Sequence, residues 1–205
     1  MSLAFPLSPP TSRGPRRVTI EALSAVGISE SPFTFEQQAY VHQGERWGLE
    51  FELGSMNRDE GEEWAAFITS LNGREGTFLM GDPLGAAPRG TWAGAPKVLG
   101  AHAAGVKSIA MDGFSVGATV KAGDWFQRGS GASTHLYKVM QDATADGSGL
   151  LTLELWPRLR VALVDNDTFT TSSAKGIWRL TDNSRRWTLD DVRIGGIVVG
   201  AAEVL

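Results

Sequence analysis

The sequence predicts a mainly β protein: a β-sandwich or barrel carrying one α-helix, with a small β-barrel inserted into it. Three observations carry this expectation. Apolar and polar residues alternate over many short stretches, the period of half-buried strands. Helical spacing occurs in one place, where Trp64, Phe67, Ile68 and Leu71 fall at i, i+3, i+4 and i+7. The 205 residues also include 25 glycines and 9 prolines, the punctuation of short strands joined by tight turns.

Taken in order, residues 1–15 are an extended arm, because Pro6, Pro9, Pro10 and Pro15 block both helix and sheet ladder. The arm is either a disordered terminus or a segment that orders on a neighbouring subunit. Its charges follow its apolar residues, the reverse of a signal peptide. Arg17–Leu23 alternates Val18 and Ile20 against Thr19 and Glu21, so a strand is expected there. A second is expected over Phe33–Val41. A third starts at Arg46, with Trp47, Leu49, Phe51 and Leu53 on one face. Between the last two, Gln43-Gly44-Glu45 reads as a hairpin turn.

Asn57 stands at a helix N-cap with Glu60 three residues on, the spacing of a capping box. Asp59, Glu60, Glu62 and Glu63 crowd the first turns, where the helix dipole favours negative charge. Asn72-Gly73 tolerates the left-handed conformation that ends a helix, so the helix should cover about residues 57–72. A strand over Thr77–Met80 follows and stops at Gly81-Asp82-Pro83. Residues 84–96 are small and loop-like.

Beyond them come Val106–Met111 and Ser115–Val120, separated by Asp112-Gly113, a strong hairpin signal. Asp124–Phe126, Leu136–Met140 and Leu150–Trp156 continue the series, with Asp146-Gly147-Ser148-Gly149 as a turn. Such closely spaced short strands point to a small barrel. Thr168–Thr171, Gly176–Thr181, Trp187–Asp190 and the glycine-rich Arg193–Glu203 are strands again. The expected organisation is therefore split. After the arm, residues 16–92 and 165–205 build one β domain, and residues 93–164 are the inserted barrel.

Composition narrows the function. With 19 basic and 23 acidic residues the net charge is -4, which argues against nucleic acid as the main partner. There is no cysteine, hence no disulfide, thiolate ligand or cysteine nucleophile. The apolar run near residues 197–202 is far short of a membrane span, and no membrane partner is expected. His42, His102 and His135 are scattered without metal-ligand spacing. Gly129-Ser130-Gly131 and Gly147-Ser148-Gly149 are turns rather than nucleophile elbows. Asp165-Asn166-Asp167 opens like a calcium loop, but Thr170 and Gly176 occupy the places of its glycine and its bidentate glutamate. The carboxylates at Asp59 to Glu63 are explained more simply by the helix start than as an acid/base pair. No catalytic residue, metal or cofactor is expected, and the chain reads as a protein that is not an enzyme. Arginine outnumbers lysine 14 to 5, which suits bidentate pairing across protein interfaces.

The run FTFEQQAYVHQGERW, the segment RDEGEEWAAFITSLNGREGTFLMGDP, the phrase DATADGSG and the closing tryptophan-containing strands resemble the distal tail proteins of long, flexible-tailed bacteriophages and related gene transfer particles. The resemblance implies a structural virion protein: a ring, expected as a homohexamer, that connects the tail tube protein to the tail hub or baseplate. Tape measure protein and tail fibres are further partners it implies, with DNA only as passing cargo in the lumen. The implied location is the virion tail tip, with the host cytoplasm during assembly. The inserted barrel would be OB-like and project outward. Ring contacts are expected from Arg16, Arg17, Trp92, Trp178, Arg185, Arg186 and Trp187. An alternative is a carbohydrate- or receptor-binding module of the tail tip, whose barrel presents Trp125, Phe126 and Tyr137 as a stacking platform.

Overall fold

The structure is a computed structural model and describes residues 3–190 and 193–205. It is mainly β with one helix and a curled half-barrel sheet. The elements in order are β1 (Arg17–Glu30), β2 (Gln37–Glu52), α1 (Arg58–Ser70), β3 (Thr77–Met80), β4 (Gly94–Val98), β5 (Ser108–Phe114) and β6 (Thr119–Val120). There follow β7 (Trp125–Arg128), β8 (His135–Val139), β9 (Ala143–Thr144), β10 (Leu151–Trp156), β11 (Gly176–Leu180), β12 (Thr188–Leu189), β13 (Ile194–Gly195) and β14 (Val198–Glu203).

Two five-stranded sheets dominate, ordered β1-β2-β14-β11-β3 and β4-β5-β10-β8-β7. The first draws strands from both ends of the chain, and the second lies wholly between β3 and β11. Each has its own apolar core. The helix covers the first sheet: Trp64, Phe67, Ile68 and Leu71 are all buried, with Trp64 against Phe51 at 5.8 Å and Phe67 against Phe78 at 5.9 Å between ring centroids. Asn57 caps it by accepting from the Glu60 N–H, and Glu60 returns a carboxylate to the Asn57 N–H. Asn72 and Gly73 follow with φ of 49° and 66°, the left-handed exit expected of them.

Both expected hairpin turns prove to be irregularities inside strands. Gln43-Gly44 lies within β2, which runs unbroken for 16 residues. Its register against β1 slips between Ser24 and Val26, where Ser24 faces Glu45 but Val26 faces Val41. The extra residues bulge, and a Cβ on Gly44 would stand 3.1 Å from the Ala25 Cβ. The true turn spans Ser31–Glu36, so the strand expected to start at Phe33 starts at Gln37. Likewise Asp112-Gly113 lies inside β5, opposite a slip in β4 between Gly94 and Lys97. Gly113 has φ 74°, and a Cβ there would meet the Ala95 carbonyl oxygen at 2.5 Å. Of Thr168–Thr171 only a single bridge forms, Thr170 to Gln127, and Arg193–Glu203 breaks into β13 and β14 at Gly196, φ 68°.

The described part of the arm packs on its own chain. Leu7 bridges to Phe78 in parallel, giving its N–H to the Thr77 carbonyl and accepting from the Leu79 N–H. The Trp64 indole donates to the Arg13 carbonyl at 3.1 Å. That covers the outer edge of β3 and leaves β1 as the free edge of the sheet.

Candidate subunit interface

The longest pairing in the protein is β1 with β2, from Arg17 opposite Glu52 to Glu30 opposite Gln37. Only its lower half joins the sheet, since β14 pairs with β2 from Gly48 to Glu52. Above that, residues 24–44 form a two-stranded overhang in which Glu30 and Gln37 close the ladder and almost every residue is exposed. Its apolar side chains are bare: Val26 is 50% exposed, Ile28 67%, Val41 62% and Phe33, in the turn, 91%. A two-stranded hairpin alone is marginally stable in water, so this one is held by its lower half.

At the foot of the overhang lies a mostly apolar groove of about 680 Å³ between the two sheets. Val18 and Ile20 of β1 form one wall, Leu84 and Met140 the other, and indoles the floor. Trp47 packs 4.1 Å from Trp156 and 4.9 Å from Trp125 between ring centroids. Their N–H groups are satisfied inside the chain, Trp47 by the Leu136 carbonyl and Trp125 by the Asp82 carboxylate. The Lys138 ammonium stands over the Trp125 ring, 4.3 Å from its centroid.

A buried polar seam locks the sheets together beside this groove. Glu45 of β2 accepts from Lys107 at 2.8 Å and from the Arg158 N–H at 2.7 Å. Burial alone would raise its pKa, but the bonds from Lys107 and Arg158 outweigh that and hold it below the usual carboxylate value. Glu203 of β14 accepts from Arg160 at 2.8 Å and from the Trp47 N–H at 3.0 Å. For Glu203 burial wins over Arg160, and its pKa is raised. The Tyr137 hydroxyl accepts from the Arg160 N–H, and burial pushes the phenol up to about 12. His135 is lowered by burial and by the positive Arg128 and Arg160. Burial, together with the ion pairs of Glu45 and Glu203, accounts for these shifts, so the cluster reads as structural.

The structure relocates most of the tryptophans expected at a surface. Trp92 is buried at 7% exposure, its indole donating to Asp124 at 2.9 Å. Trp178 is buried at 1%, donating to the Met80 carbonyl at 2.8 Å. Neither is available to a neighbour, because each completes a core of its own chain. The stacking platform is corrected too. Phe126 and Tyr137 are fully buried and stack on each other at 5.4 Å, and Trp125 shows 4% of its surface. None of the three offers a free ring face to a sugar. Arg16, Arg17, Arg186 and Trp187 are exposed, and Arg185 is half-buried in a recess shared with Arg186, Thr181 and Asp182. Sequence reasoning missed the overhang and the groove. Phe33, Phe35 and Tyr40 were legible as aromatics, but their exposure depends on where the turn falls.

Asp165 and Asp167 serve a turn, accepting from the Gly100 and Val164 N–H groups. Among the described residues no group of three histidine or acidic side chains could hold a metal, and no helix is long and apolar enough to cross a membrane. Comparison of the chain with protein-family models and with curated proteins gives no match.

Proposed function

We propose that the chain is a structural subunit of a phage-type tail tip, which assembles with copies of itself into a ring between the tail tube and the hub or baseplate. The observation that carries this reading is the β1–β2 overhang: a hairpin raised clear of the body, apolar at its turn and along its length. Monomeric proteins rarely leave contiguous apolar surface bare, and such a patch marks a contact with another molecule. The free edge of β1 adds unpaired backbone groups beside it, a template for pairing across subunits. The resemblance of the helix segment and its flanking strands to distal tail proteins supplies the setting. Partners elsewhere in the tip would meet the exposed Arg16, Arg17, Arg186 and Trp187.

Two measurements test this. Antibody labelling of purified particles should place the chain at the tail tip, and light scattering should give a closed multiple of the 22.0 kDa subunit, alone or with the tube protein. Label absent from the tip overturns the reading.

A further inference from the structure

We propose that the overhang of one copy docks into the indole-floored groove of the next, so that tip and socket on every chain link the ring. This rests on the ring reading above and names the contact that would build it.

At the base of the hairpin, Val18 faces Phe51, Ile20 faces Leu49 and Ala22 faces Trp47, and this side packs on the core. By strand alternation the same side of β1 continues upward as Val26 and Ile28, paired with Val41 and Ala39. There no described residue covers it, and Val26 and Ile28 lie exposed. Phe35 is held at φ 58°, a region bulky residues avoid, by its own N–H on the Ser31 carbonyl and by the bond from the Ser31 N–H to the Glu36 carbonyl. With Phe33 it sets two exposed benzyl groups on the turn, 91% and 72% bare.

A groove of about 680 Å³ has room for such side chains, and Leu84 on its rim is itself 97% exposed. Residues 24–44 carry Glu30 and Glu36 but no lysine or arginine. In the groove, Lys138 lies over the Trp125 ring and makes no salt bridge among the described residues, so an acidic tip meets a cation that has no carboxylate partner. Knob and socket are different patches of one chain, and such a heterologous contact closes into a ring when the rotation allows. The overhang, about 20 Å long at roughly 3.3 Å per residue, reaches past its own body.

The chain has no cysteine, which makes the test clean. Thr34→Cys and Leu84→Cys, both at exposed positions, are prepared separately, checked by circular dichroism, mixed, and treated with a short bismaleimide. Covalent dimers are expected in the mixture and absent from either protein alone. Phe33→Ser should weaken self-association about tenfold or more, as the loss of an aromatic anchor does. A ring-sized assembly that gives no cross-link in the mixture overturns the docking and leaves the ring reading standing. Cross-linking of Thr34→Cys with itself overturns it in favour of a symmetric tip-to-tip dimer. A protein that stays monomeric at every concentration overturns it as well, and the label at the tail tip then decides the ring reading separately.

Discussion

Gly61 and Ile194 are packed so closely that a Cβ added to Gly61 would lie 2.5 Å from the Cβ of Ile194. Gly61 sits in the first turns of the helix, and Ile194 belongs to the short β13 strand that closes over it. Helix propensity alone would favour alanine by about 1 kcal/mol. Overpacking costs about 1–3 kcal/mol and should win. Gly61→Ala is therefore expected to lower the midpoint of urea unfolding. A raised midpoint would show that β13 yields freely.

Why the helix was legible and the hairpins were not follows from the range of the forces involved. Asn57, Glu60 and the Trp64-to-Leu71 stripe act within a few turns, and every one of them does in the structure what its spacing implies. Gly44 and Gly113 carry genuine turn signals, but strand pairing with distant partners overrode them and used the glycines for bulges. The tryptophans repeat the lesson. Five of the seven indole N–H groups find acceptors in the chain, at Leu136, Arg13, Asp124, Asp82 and Met80, from 32 to 98 residues away. Composition records seven large rings without recording which will be satisfied at home. The groove was illegible for the same reason, since its walls come from β1, from the turn after β3 and from the end of β8.

The Glu203–Arg160 pair should be costly to break from one side only. Both side chains are largely buried, at 2% and 13% exposure, so Arg160→Met strands a carboxylate in the interior and should destabilise by about 3–5 kcal/mol. Without Arg160 the folded Glu203 pKa rises further, so the folded state holds its proton to higher pH than the unfolded chain does. Stability of the variant then falls as pH rises through that window, and its deficit should widen from about pH 5 to about pH 8. The double variant Glu203→Leu/Arg160→Met should recover most of the loss. Chemical unfolding of all three at both pH values decides it, and a deficit that does not change with pH would mean Arg160 acts through packing alone.

His135 makes the opposite contribution. Its folded pKa lies below the ordinary 6.5, so between the two values the unfolded chain binds a proton that the folded chain refuses. The associated stability is complete above about pH 6.5 and is lost progressively as pH falls toward the folded value. His135→Gln removes that titration. Its Nδ1 has no hydrogen-bond partner in the structure, so the substitution forfeits little else there. The stability difference between variant and wild type should shift in favour of the variant on acidification from about pH 7.5 to about pH 5.5. A difference that stays constant across that range would mean His135 titrates as freely folded as unfolded.

Phe35 separates folding from assembly. In the left-handed region a residue with a Cβ loses about 1–2 kcal/mol relative to its usual conformation, and glycine adopts that φ freely at the cost of more entropy in the unfolded chain. The two effects nearly offset, and the side chain removed has 72% of its surface in water and little packing to forfeit. Phe35→Gly should therefore leave the thermal midpoint of the dilute protein unchanged or slightly raised. On the docking proposed above, the same substitution should remove part of a concentration-dependent rise in that midpoint, because the ring removed would contact a neighbour. A clear loss of stability at high dilution would show that Phe35 belongs to the hairpin's own turn, and that its strain serves the fold of the monomer.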